Sequence, residues 1–263
     1  MRIHHLNCMT FYQGYREITH CLLVESPDGL VLVDSGLGLA DYTHPAWRVK
    51  VMTAVDRVPC DLEETAFRQV QRLGFSPRDV RHIVLTHLHY DHSGGLPDFP
   101  WAKVHVFENE YQSAMHPRWY HFLDMFGVSP SHWAHNPDWV RHFEGWRDWY
   151  GMPALPVMGG DEPTILLVPL PGHTPGHCGV AVKSDSGWLL HCGDAFVRSM
   201  EVDPVAPRRH FPFWFWPIER VMFPARQQQR LRDLLRQHAG EVSLVCSHDP
   251  HVFDKLVSKS PQQ

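Results

Sequence analysis

A chain of 263 residues with 43% hydrophobic residues can bury a sizeable core, and no linker divides it, so a single domain spanning 1–263 is expected. A formal net charge of −5 argues against the basic surface that nucleic acid demands, so no nucleic-acid partner is expected. The longest apolar runs are of strand length and Met1-Arg2-Ile3-His4-His5 opens no secretory signal, which points to a cytoplasmic protein with no membrane partner.

The six cysteines, at 8, 21, 60, 178, 192 and 246, lack a paired Cys-x-x-Cys spacing and mostly lie in apolar contexts, as reduced core thiols do. Asp61-Leu62-Glu63-Glu64 reads as a capping-box-like helix start, with Leu62, Ala66, Val70 and Leu73 at helical spacing and Gly74 as the stop. Ile83-Val84-Leu85 reads as a strand running straight into Thr86-His87-Leu88-His89-Tyr90-Asp91-His92. With 21 histidines in the chain, His-x-His-x-Asp-His would arise by chance in roughly one such chain in a hundred. Imidazole and carboxylate suit zinc and related divalent ions; the i, i+2 spacing points His87 and His89 at one ion and leaves Asp91 and His92 to face a second.

Residues 111–160 carry Trp119, Trp133, Trp139, Trp146 and Trp149 with little periodicity and read as an insertion. Ile165–Leu170 is a strand that turn residues break at Pro171-Gly172-His173-Thr174-Pro175-Gly176-His177, presenting His173 as a further ligand with His177 behind it. Gly187–His191 is another strand, ending in Cys192-Gly193-Asp194, where a carboxylate can bridge two cations. Cys178 and Cys192 lie close enough in sequence to be alternative ligands. A second insertion is expected at 196–223, whose Phe211-Pro212-Phe213-Trp214-Phe215-Trp216-Pro217 would wall an apolar pocket, fill a satellite core or seal a homodimer contact. Pro224 opens a helix with Leu231, Leu234 and Leu235 as its apolar stripe, Arg226, Arg230, Arg232 and Arg236 as its solvated face, and Gly240 at its end. Val242–Cys246 is a last short strand, followed by Ser247-His248-Asp249, where His248 would complete the second ion's set.

The order His-x-His-x-Asp-His, then His173, Asp194 and His248, resembles the metallo-β-lactamase superfamily of binuclear hydrolases from about Cys21 to Asp249. Val31-Leu32-Val33-Asp34-Ser35-Gly36 is similar to that family's early strand and Asp-x-Gly turn, which makes Asp34 a support beneath the metal loops. The resemblance implies an α/β fold, an αββα sandwich with helices outside two face-to-face sheets and metals at one edge. It also implies that one ion takes His87, His89 and His173, the other takes Asp91, His92 and His248, and Asp194 bridges them. Two divalent ions, zinc first and iron, manganese or cobalt accepted by the same donors, would lower the pKa of a bridging water to give a hydroxide nucleophile. Asp91 and Asp194 are then the catalytic carboxylates, Asp91 doubling as a proton shuttle, and Asp34 and Asp249 would orient ligand imidazoles.

Among the family's activities, β-lactamases of this pattern generally lack a carboxylate at the Asp194 position, and glyoxalase II enzymes end in a longer helical domain than the stretch after Pro224 provides. The N-acyl homoserine lactonases match in length and ligand order, so the expectation is a hydrolase opening a lactone or ester with an apolar portion. One departure stands out: where many of those lactonases carry a tyrosine three residues after the bridging Asp, this chain has Val197, with Tyr12, Tyr90, Tyr120 and Tyr150 as conceivable substitutes. Aryl-ester or organophosphate hydrolysis and glyoxalase II-like thioester hydrolysis are the alternatives. A non-catalytic metal-binding interaction protein is a remoter one, since structural zinc sites are usually closed by four protein ligands.

Overall fold

The computed structural model describes residues 1–116, 127–205 and 225–259. Among the described residues, twelve strands form two six-stranded sheets. The first comprises β1 (Ile3–Tyr12), β2 (Arg16–Ser26), β3 (Gly29–Val33), β4 (Val80–Val84), β5 (Lys103–Phe107) and β6 (Asp138–His142) in chain order. Its first three strands are antiparallel, and β3 through β6 pair in parallel. The second runs β12 (Val242–Val245), β11 (Gly187–His191), β10 (Cys178–Ser184), β9 (Ile165–Pro169), β8 (Met152–Met158) and β7 (Arg147–Trp149), antiparallel except where β11 meets β12.

Strand periodicity explains the layering. Within β2, Leu22 and Val24 face the second sheet, where they join Val31, Val33 and Val84 against Leu155, Ile165, Leu167, Val180 and Val182. Their neighbours Cys21 and Leu23 point outward, into a cluster closed by Ala66 and Val70 of α3 (Ala66–Arg72) and Ala114 of α5 (Glu108–Met115). On the far side, Leu166, Val168, Ala181 and Leu190 pack under Leu231 and Leu234 of α6 (Ala225–His238). Strands buried on both faces are apolar at nearly every position, which is why they were legible as short continuous runs. The remaining α-helices among the described residues are α1 (Leu39–Thr43), α2 (Trp47–Val55), the one-turn α4 (Tyr90–Ser93) and α7 (Pro250–Lys259). No helix among the described residues is long and apolar enough to cross a membrane.

Two expectations need correction. The helix expected from Asp61 is divided: Asp61 caps a 3-10 turn (Leu62–Glu64), and α3 begins only after Thr65, whose Oγ1 accepts from Arg68 N. The cause is Glu64, which turns back to accept from Thr10 N and Thr10 Oγ1 (2.6 Å each) where the β1–β2 register slips. The span 111–160, read as an insertion, supplies β6, β7 and β8. Its strands were hidden because Trp139 and Val140 are both half-buried on an edge strand, and because Pro153 and Pro156 interrupt β8. Arg232 does not share the solvated face of α6; it is buried, and its Nε donates to Glu201 O at 2.8 Å. The aromatic run Phe211–Pro217 with its proposed dimer contact, along with Trp119, Tyr120 and Pro224, lies outside the described residues. Five of the six thiols are buried and Cys60 is exposed.

Candidate metal centre

Loops at one edge of the sandwich bring the seven predicted residues together. β4 ends at Val84, and the chain then turns through His87 to α4, which carries Asp91 and His92 with His89 at its N-cap. His173 follows β9, Asp194 follows β11 and His248 follows β12, so both sheets contribute. Their donor atoms fall into three overlapping buried groups: His87, His89 and His173; His87, His92 and Asp194; Asp91, His92 and His248. Asp194 stands between them. Its Oδ2 lies 3.2 Å from His173 Nε2, 3.1 Å from His248 Nε2 and 3.8 Å from His87 Nε2, and its Oδ1 lies 3.4 Å from His92 Nε2. Asp91 Oδ2 is 3.4 Å from His92 Nε2 and 3.7 Å from His248 Nε2.

The outer nitrogens are anchored, and this decides which nitrogen faces inward. His92 Nδ1 donates to Asp34 Oδ2 at 2.8 Å and His248 Nδ1 donates to Ile18 O at 2.7 Å. Thr86 Oγ1 donates to Asp34 Oδ2 at 2.8 Å and so is left to accept from His87 Nδ1 at 3.0 Å. Each of these rings therefore turns Nε2 into the centre, and His87 Nε2, His92 Nε2 and Asp194 Oδ1 are buried with no hydrogen-bond partner. Buried polar atoms without partners, converging from nitrogen and oxygen donors, are what a divalent cation requires, so the residues fit divalent metal binding.

The sequence from residue 14 to residue 246 matches the family model described as Metallo-beta-lactamase superfamily. The chain belongs to that superfamily. A probable metallo-hydrolase of Mycobacterium tuberculosis is 39% identical to it over 259 residues, covering 96% of this chain and 82% of the relative. An N-acyl homoserine lactonase of Rhizobium johnstonii is 35% identical over 246 residues, covering 91% and 84%. A solved N-acyl homoserine lactone hydrolase, with the product N-hexanoyl-L-homoserine bound at its catalytic metal centre, superposes with a TM-score of 0.66 over 96% of this chain and 95% of that one, at 19% identity. That likeness establishes the αββα fold. The superfamily and these relatives are metal-dependent hydrolases.

In this metallo-β-lactamase-fold chain the centre is electrostatically poised for cations. Burial pushes the charged forms of His92 and His248 down, but Asp91, Asp194 and Asp34 outweigh it at His92, and Asp194 and Asp91 raise His248 to about 9. Burial opposes ionisation of the two carboxylates as well. The facing histidines nevertheless hold Asp194 well below its usual range and Asp91 at about 2. His87 and His173, where desolvation wins, stay neutral.

Sequence reasoning placed Asp34 beneath the loops, and it holds Thr86 N, Thr86 Oγ1 and His92 Nδ1 together. Asp249 instead caps α7, accepting from His251 N and Val252 N, and binds Ser199 N. His177 sits under the shared carboxylate, accepting from Asp194 N at 2.9 Å while its Nδ1 donates to Leu170 O. Gly193 makes that approach feasible: its φ is +52°, and a Cβ there would lie 2.6 Å from His177 Nε2. Cys178 and Cys192 direct their thiols to backbone carbonyls and join none of the three groups. Missed altogether were Thr86, the Ser93–His132–Asp41 chain that braces α4, and Glu110. No local pattern marks them, because each depends on a partner distant in sequence, which for Thr86 is Asp34.

Proposed function

We propose that this chain is a binuclear hydrolase that opens a lactone or ester with an apolar portion, as N-acyl homoserine lactonases do. The observation that carries the reading is the position of Asp194, one carboxylate within hydrogen-bonding or near-contact range of imidazoles from both groups. In this assignment His87, His89 and His173 hold one ion, Asp91, His92 and His248 hold the other, and Asp194 is shared. Zinc is the proposed metal, as the mixed imidazole and carboxylate set suits it, though iron, manganese and cobalt accept the same donors. Such ions supply a hydroxide nucleophile at neutral pH and polarise the scissile carbonyl.

The protein's own share is positional. Asp34, Thr86 and Ile18 O fix the imidazole tautomers, and Asp194 sets the separation of the two groups. Asp91, which faces the centre, would take up the proton that the nucleophile still carries once it has added to the carbonyl and return it to the leaving alkoxide. The kinship to lactonases supports a lactone substrate, and the buried free thiols support a reducing, cytoplasmic setting.

One observation favours a second substrate class. The position of the lactonase tyrosine is the buried Val197, and the Tyr90 hydroxyl is committed to Asp56 Oδ2 while that of Tyr150 donates to Glu241. Aryl esters and phosphotriesters, whose leaving groups need less help, are therefore the runner-up. Hydrolysis by metal-quantified protein of acyl homoserine lactones, a simple γ-lactone, an aryl ester, a phosphotriester, a thioester and a β-lactam tests both. Fast lactone opening with two ions per chain supports the first reading, turnover of aryl ester or phosphotriester alone moves the substrate, and fewer than two ions overturns the binuclear scheme.

A further inference from the structure

Glu110 is 2% exposed and belongs to the first turn of α5, remote in sequence from every candidate ligand. Its Oε1 accepts from Leu88 N at 2.8 Å, and its Oε2 accepts from Thr174 Oγ1 at 2.6 Å. Leu88 is the residue between His87 and His89, and Thr174 is the residue after His173. A single buried carboxylate thus ties the loop that follows β4 in the first sheet to the loop that follows β9 in the second.

The fit around this clamp is close. A Cβ on Gly176 would lie 2.0 Å from Glu110 N and 2.3 Å from Glu110 Cα, so the second loop can approach α5 only because glycine stands there. A buried donor that loses its acceptor pays its full desolvation cost, and Leu88 is wholly buried and Thr174 nearly so. His89 Nδ1 and His173 Nε2 end up 2.9 Å apart although they come from different sheets.

We propose that Glu110 is a positioning residue for the first ion, setting the separation of His87, His89 and His173 from outside the metal shell; this rests on the assignment of those three to one ion. Its loss should loosen one of two metal sites and spare the site of Asp91, His92 and His248.

The test is titration of the metal-free full chain with Zn2+ against a chromophoric chelator, repeated with Co2+ to follow the absorption of each equivalent. Glu110→Ala should weaken one equivalent by about 10–100-fold and leave the other within about twofold. Glu110→Gln should restore most of the affinity, since its carbonyl can accept from Leu88 N while its amide donates to Thr174 Oγ1. Thr174→Val, which removes one arm of the clamp without touching Leu88, should weaken the same equivalent by less and guards against a Glu110→Ala chain that fails to fold. Two unchanged equivalents in Glu110→Ala, equal weakening of both, or a Gln variant as impaired as the Ala variant would each overturn the inference while leaving the binuclear reading intact. Wild-type protein that binds fewer than two equivalents would overturn both.

Discussion

Replacing Asp34 by Asn is the sharpest test of how this centre is built. Asp34 is fully buried with φ +55°, a conformation Asn tolerates better than most residues, so the backbone should hold. Its carboxylate accepts three bonds of 2.8 Å, from Thr86 N, Thr86 Oγ1 and His92 Nδ1. Asn can keep only the first two, by turning its oxygen to Thr86 N and its amide to Thr86 Oγ1. The amide then confronts His92 Nδ1 with a donor, and the ring must move its proton to Nε2, where the lone pair for a cation is needed. The lost charge-assisted bond costs about 1.5–3 kcal/mol of stability. Orienting partners of this kind are worth about 10–100-fold in metal affinity, equivalent to about 1.4–2.7 kcal/mol. Chelator competition on Asp34→Asn should show the ion of Asp91, His92 and His248 weakened by that factor, with circular dichroism unchanged. Affinity within about twofold of wild type for both ions would refute the tautomer argument.

Three other outcomes are expected. Asp194→Ala and His89→Ala should each lower metal content by mass spectrometry and abolish turnover while the fold persists; loss of the fold in either would count against a catalytic assignment. Gly193→Ala forces an L-residue to φ +52° and a methyl into His177 and Thr86, so denaturant melts should register a loss above about 1–2 kcal/mol together with a reduced zinc content, and an unchanged melt would refute the packing argument. His105, bonded to His82 and His142 between the sheets, has its pKa pushed down to about 3 by burial and then by His142, His82 and Lys103. It stays neutral in the fold while the unfolded chain takes up a proton below about 6.5, so its stabilisation is complete above that pH and is lost as pH falls toward 3. Unfolding free energies from urea melts of chelated protein should therefore fall between pH 6 and 4.5 more steeply in wild type than in His105→Gln, by about 1.4 kcal/mol per pH unit, and parallel slopes would remove His105 as the cause.

The parts of this molecule that could be read in its sequence are those whose cause is local. Strands such as Ile165–Pro169 and Val242–Val245 announce themselves because burial on both faces makes consecutive residues apolar. His87, His89, Asp91 and His92 were visible because one short loop carries all four. His173, Asp194 and His248 were visible because each follows a strand at a turn. The hairpin from β7 to β8 was not, since its signal is a positive φ at Tyr150 followed by Gly151, and tyrosine is no marker for that conformation. Glu110 and His132 could not be found from sequence at all. Their significance lies in an atom-to-atom contact across 22 residues to Leu88 in one case and 39 residues to Ser93 in the other.

That division has an energetic counterpart. The candidate ligands span residues 87 to 248 and come from both sheets, so the centre exists only when the whole sandwich is closed. A closed sandwich buries Asp91 and Asp194, and burying carboxylates without compensation costs several kcal/mol each. Without cations, protons on His92 and His248 provide the compensation, consistent with the raised pKa of both rings. Divalent ions held as proposed would displace those protons and, by binding the folded chain in preference to the unfolded one, would add up to about 2.7 kcal/mol per site at a hundredfold excess over Kd. The supports made by Asp34, Glu110 and His177 therefore serve stability and chemistry through the same bonds: each holds a loop where its ligand can accept a cation, and the bound cation in turn offsets the charge the fold has buried.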